Sequence, residues 1–142
     1  MDKFTLIFAI SAFVFLVLFL KVFGGGKSRG GRVITRYTAK FQILDPRFET
    51  SRPEADYNIF KDGKPHKFEI DLERLPLSEG EELKFYINGK LLSDVKVDNE
   101  LEAKFEHWSD EDVDFPQIIE GDILDIIFKG AHVMQGIFEQ KW

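Results

Sequence analysis

The stretch Glu79-Gly-Glu-Glu-Leu83-Lys-Phe85-Tyr-Ile87-Asn88-Gly89-Lys-Leu-Leu-Ser-Asp-Val95-Lys-Val97 carries the clearest structural signal in the sequence. Leu83, Phe85 and Ile87 recur at a period of two, the spacing that puts side chains on one face of a strand. Asn88-Gly89 follows, and both residues accept the positive φ angles of a two-residue hairpin turn. A plain two-residue turn would pair Phe85 with Leu92 and send Leu91, Val95 and Val97 to the wrong face, because a one-residue slip inverts every side chain. The sequence therefore predicts a bulge or a three-residue loop near Leu91, which restores the register.

The same pattern returns downstream. Glu79-Gly80, Leu83, Phe85, Ile87, Gly89 and Leu92 match Glu120-Gly121, Leu124, Ile126, Phe128, Gly130 and Val133 at a constant offset of 41, with Pro76 and Pro116 ahead of the two Glu-Gly pairs. The shared content is a Glu-Gly turn, a strand buried on one face, and a glycine at the next reversal. It fits two pseudo-symmetric hairpins facing each other in a sandwich, and it also fits the turn chemistry that any two hairpins share.

Further out, Val33, Thr35, Tyr37, Ala39, Phe41 and Ile43 alternate with Arg36, Thr38, Lys40 and Gln42, which predicts a half-buried strand ending at Asp45-Pro46. Phe68, Ile70 and Leu72 alternate with Glu69, Asp71 and Glu73. Leu101, Ala103, Phe105 and His107 follow an Asp98-Asn99 turn, and Ile123–Phe128 pairs with His132–Phe138 around Gly130. The segment from Arg47 to His66 holds two prolines and Asp62-Gly63, and reads as a loop with at most one short element around Tyr57–Phe60. Six or seven short strands with hairpin turns predict a mainly β chain whose domain is a small antiparallel β-sandwich or small barrel.

The N-terminus is different in kind. Seventeen residues, Phe4 to Leu20, run without a charge, and Lys21 can extend to a lipid interface. A cleaved signal peptide would have a shorter apolar core and a small-residue cleavage site, where this chain has Leu20-Lys-Val-Phe23. The expected organisation is a single transmembrane helix over 1–23, a Gly-rich basic linker over 24–32 and an acidic β domain over 33–142. Thr5, Ala9 and Ala12 form a stripe of small side chains suited to helix packing. Lys21, Lys27, Arg29, Arg32 and Arg36 would meet anionic headgroups, each adding about 1 kcal/mol of attraction. These cations behind the apolar run favour a cytoplasmic β domain with the N-terminus outside, against a rival external orientation.

Charge divides sharply along the chain. Residues 1–36 hold six basic side chains and one acidic, net +5; residues 37–142 hold 13 basic and 24 acidic, net −11. That domain would be repelled by a phosphate backbone, which argues against nucleic acid as a partner. With no cysteine there is no disulfide, thiolate metal site or cysteine nucleophile. Gly26-Lys27-Ser28 lacks the upstream glycine of a phosphate loop. His66, His107 and His132 have no ligand spacing. Asp110-Glu111-Asp112-Val-Asp114 begins like a calcium loop, but Phe115 stands where glycine belongs and Gly121 where the closing glutamate belongs. The cluster Asp110, Glu111, Asp112 and Asp114 reads instead as a partner-binding acidic loop.

No nucleophile or acid–base constellation is visible, so no enzyme activity, metal or cofactor is expected. The sequence points to a non-catalytic accessory subunit of a larger membrane complex (respiratory, photosynthetic or transport), its partners being other membrane-protein subunits and the bilayer. The alternative is a membrane-tethered module that binds carbohydrate or peptide, with Tyr57, Trp108 and Trp142 as ring platforms.

Overall fold

A computed structural model of the chain describes residues 32–61, 66–111 and 115–142. These contain eight strands: β1 (Val33–Ile43), β2 (Arg52–Phe60), β3 (Lys67–Glu73), β4 (Glu82–Ile87), β5 (Lys90–Lys96), β6 (Ala103–Trp108), β7 (Ile123–Phe128) and β8 (Ala131–Gln140). They form one antiparallel sheet in the order β5-β4-β7-β8-β1-β2-β3-β6. The two edge strands, β5 and β6, are consecutive in the chain and approach each other without a ladder, so the sheet curls into a nearly closed ring.

Two expectations are corrected by this architecture. Of the two domain architectures expected, the sandwich of facing sheets is not formed, and the single nearly closed sheet, wrapped around its own core, is nearer the small barrel. Alternation tells which side of a strand is buried, but a sandwich and a curled sheet bury that side equally well. The predicted transmembrane helix is no part of this fold: among the described residues there is a 3-10 turn at Pro46–Phe48, and no helix is long and apolar enough to cross a membrane. The segment 4–23, with Thr5, Ala9 and Ala12, lies outside the described residues, as do Lys21, Lys27 and Arg29.

The inner face of the ring is filled by alternate residues of every strand, among them Ala55 and Tyr57, Phe68, Ile70 and Leu72, Leu83 and Phe85, Leu124 and Ile126, and Phe138. Aromatic edges meet aromatic faces through it. Phe68 lies 5.9 Å from Phe138 and 5.8 Å from Phe105, both in T-shaped geometry. Phe48 comes from the 3-10 turn and is fully buried, its ring 6.3 Å from Phe128, so it closes one end of the ring.

The β4–β5 hairpin has the expected irregularity. Ile87 faces Lys90 and Tyr86 faces Leu91, but Phe85 faces Ser93, which leaves Leu92 as the extra residue of a bulge. The β7–β8 hairpin repeats it at the same offset. Phe128 faces Ala131, Ile127 faces His132 and Ile126 faces Met134, with Val133 extra. Both turns have two residues at positive φ: Asn88 and Gly89 at 49° and 84°, Lys129 and Gly130 at 49° and 79°.

The correspondence extends to the flanking loops. Gly80 N donates to Val97 O and Gly121 N to Phe138 O, each at 2.8 Å. Ser78 N donates to Glu81 Oε1, and Ile119 N to Asp122 Oδ2. The two hairpins do not face each other as expected. They lie side by side, joined through β4 and β7, with Phe85 opposite Ile126. Those two residues are themselves equivalent at the offset of 41, so a local two-fold axis passes between them. Across it, Asn88 bonds Asp122 at 3.0 Å and the equivalent Lys129 meets Glu81 at 3.6 Å. This repetition in geometry goes beyond turn chemistry shared by any pair of hairpins.

Candidate functional site

Strand β2 extends the short element expected around Tyr57–Phe60 back to Arg52, where a loop was expected. Its alternation of Ala55, Tyr57 and Ile59 is interrupted at the start by Pro53, which demotes a strand in sequence. The structure accommodates the proline because β1 pairs with β2 only from Asp56 onward, so Arg52–Ala55 has β3 on one side and no ladder on the other. This local edge opens beside a depression of ≈ 370 Å³ lined by Ser51, Arg52, Pro53, Glu54, Asp71 and Glu73.

Strands β2, β3 and β6 turn their polar residues outward, and their registers put these in rows. Asp56 stands opposite Glu69, and Glu69 opposite Glu106. On the other side of Asp56, Thr38 donates to its carboxylate at 2.8 Å and stands opposite Glu139 on β8. In the next row Glu54 faces Asp71, and Asp71 faces Lys104. Like charges directly across a ladder cost stability, so a run of three carboxylates on adjacent strands is an unfavourable arrangement for folding alone.

Partial compensation comes from a few cations. Lys67 Nζ lies 3.6 Å from Glu69. Burial alone would depress its ammonium, but Glu69 and Glu106 outweigh that and hold its pKa above the ordinary lysine range. Lys104 pairs with Glu102 at 3.1 Å. Asp71 is the least compensated group, its Oδ1 buried without a hydrogen-bond partner. Desolvation pushes its pKa up to about 8, against the pull of Lys104 and with the help of Glu73 and Glu102. Glu54 is raised too, first by burial and then by Asp56, Glu69 and Glu73.

A carboxyl with a pKa near neutral in a depression is a candidate for acid–base chemistry. The surroundings supply little for it to work with. Ser51 Oγ donates to the Arg74 carbonyl at 3.2 Å, and the depression brings no histidine to Asp71. The arrangement is suited to electrostatic docking, since it is a broad negative surface on a rigid sheet.

The residues singled out in sequence fall in several places. Asp110 and Glu111 are exposed in the turn after β6, where Glu111 Oε1 accepts from Trp108 N at 3.2 Å; Asp112 and Asp114 lie outside the described residues. Arg32 is exposed at the start of β1. Arg36 is half-buried, its Nε donating to Asn58 Oδ1 at 2.7 Å and its guanidinium 4.6 Å above the Trp142 ring. Among the three proposed ring platforms, Tyr57 is buried, Trp108 stacks on Phe60, and Trp142 alone is an exposed residue.

The three histidines remain apart in function. His66 Nδ1 meets the Tyr57 hydroxyl at 2.7 Å, His132 meets Asp125 at 2.6 Å on the outer face, and His107 packs between Phe105 and Phe115. Burial lowers the pKa of His66 and pushes that of Tyr57 to about 12. Among the described residues, no group of three or more histidine and carboxylate side chains could hold a metal ion. Compared with known proteins, the sequence matches no family model and no curated protein.

Proposed function

We propose that this chain is a non-catalytic accessory subunit of a membrane complex, and that its acidic sheet face docks on a basic surface of a neighbouring subunit. The observation that carries the reading is the row Asp56–Glu69–Glu106, three carboxylates directly opposite one another on β2, β3 and β6. A protein selected for stability alone would break such a row. Retaining it makes sense where a partner adds cations to the partial compensation that Lys67 gives, because opposed potentials give register and rapid association. The uncharged run Phe4–Leu20 and the cations that follow it support a membrane location, with the β domain on the cytoplasmic side.

The substitution Glu69→Lys in the full chain tests this. It puts a cation between Asp56 and Glu106 and so relieves repulsion within the row, and the fold is expected to be kept. In extracts made with mild detergent, the wild-type chain should migrate with a larger assembly and the variant should be released from it, with affinity lowered at least about tenfold. A wild-type chain that migrates alone, or a variant that stays assembled, would rule the docking face out.

A further inference from the structure

A second surface stands out because its charge opposes that of the domain. At the start of β1 the chain emerges from the N-terminal segment at Arg32, and the end of β2 comes alongside: Lys61 N donates to Arg32 O at 2.9 Å. On the other flank, Lys141 N donates to Arg36 O at 2.8 Å, which brings the last residues of the chain against β1. The result is four cations, Arg32, Arg36, Lys61 and Lys141, in one neighbourhood. Two carboxylates act on them: Glu139, 3.4 Å from Lys141 Nζ, and Glu54, which feels the charge of Arg36. The rest of the domain is strongly acidic.

Two large apolar residues in this neighbourhood are about half exposed. Ile34 is 49 % exposed and Trp142 is 56 % exposed. The Trp142 ring is held in place by Arg36 over its face and by Gln140 Nε2, which donates to the Trp142 carbonyl at 2.8 Å. A tryptophan and an isoleucine ringed by arginine and lysine have the composition of an interfacial lipid site. The rings and aliphatic side chains enter the headgroup boundary, and the cations meet anionic phosphates.

We infer that this patch is a lipid-docking surface that lays the β1 end of the sheet on an anionic membrane, with Trp142 as its inserted ring. The inference rests on the membrane location proposed above, and two further facts favour lipid as the occupant. The 31 residues that precede Arg32 include the uncharged run Phe4–Leu20, and in the chain they lead into this patch at Arg32. Lys21, Lys27 and Arg29, between that run and Arg32, add charge of the same sign.

The test uses the full chain with vesicles of phosphatidylcholine, alone or mixed with phosphatidylserine, whose acyl chains are brominated to quench tryptophan. Subtracting the emission of a Trp142→Phe variant isolates the Trp142 ring, since Trp108 stays packed on Phe60 in both. Phosphatidylserine should increase the quenching of Trp142 about twofold, with the gain lost in high salt. Arg32→Glu with Lys141→Glu should bring it back to the phosphatidylcholine level. Equal quenching in the two lipids, or Trp142 emission that bromine does not touch while the chain floats with the vesicles, overturns the inference and leaves the membrane location standing. A chain that does not float with either vesicle overturns both.

Discussion

Replacing Phe48 by alanine is expected to lower the unfolding free energy by about 3–5 kcal/mol, a large share of what a domain of this size has to lose. Phe48 is fully buried, and it reaches the core from a three-residue turn, not from a strand. That turn is built to deliver it. Asp45 Oδ1 accepts from Arg47 N at 2.9 Å, Phe48 N donates to Asp45 O at 2.9 Å, and Ser51 N donates back to Phe48 O at the same distance. The hydrogen bond from the Arg47 backbone, and then its guanidinium, hold the Asp45 carboxyl below the usual range. With both sides of the turn fixed, the walls cannot collapse into the vacated space, and the cost lies at the upper end for a phenylalanine truncation. Phe48→Leu keeps most of the volume and should cost less than about 1.5 kcal/mol. Urea denaturation of the full chain in detergent, followed by near-ultraviolet circular dichroism, separates the two. Equal losses for alanine and leucine would mean that Phe48 is not the plug of this end.

Asp71→Asn is expected to stabilise the fold, and to do so only above acid pH. The folded-state pKa of Asp71 is raised from 3.8 to about 8. Between those values the folded chain holds a proton that the unfolded chain releases. Stability therefore falls as pH rises from about 4 to about 8 and is flat outside that window. The asparagine does not titrate. At about pH 9 it should gain about 2–3 kcal/mol over the wild type, and near pH 4 about nothing. Part of the gain is offset because Lys104, whose pKa burial would lower, is held up first by Asp71 and then by Glu102. Chemical denaturation at a series of pH values reads the slope directly, and a difference independent of pH would contradict the buried-carboxyl account. At neutral pH this site presents a protonated carboxyl, so the charge of the docking face rests on Asp56, Glu69 and Glu106.

The local parts of this fold were open to reading from the sequence. The Asn88-Gly89 turn and the mismatch of faces across it predict the bulge, which the structure places at Leu92. The offset of 41 between two hairpins is real in geometry, down to the extra residue at Leu92 and Val133. What the sequence hid are long-range relations. Period-two alternation cannot say that β4 pairs with β7, or β8 with β1, and those pairings decide between sandwich and small barrel in favour of one curled, nearly closed sheet. Pro53 concealed the start of β2, since its tolerance depends on β1 ending its ladder at Asp56. The acidic row is invisible for the same reason. Asp56, Glu69 and Glu106 are three among 24 acids in that region, and only the β2–β3 and β3–β6 registers align them. The basic patch could be found in part, from Arg32 and Arg36, but Lys61 and Lys141 join it through the ladder partners of β1.

The most direct measurement is photocrosslinking from the acidic row in the native membrane, with a benzophenone side chain at position 69 and, for comparison, at position 129. The docking account predicts one discrete protein adduct from position 69, mapped to a lysine- and arginine-rich surface of the partner, and none from position 129. Equal, diffuse labelling from both positions, or no protein adduct from either, would contradict it.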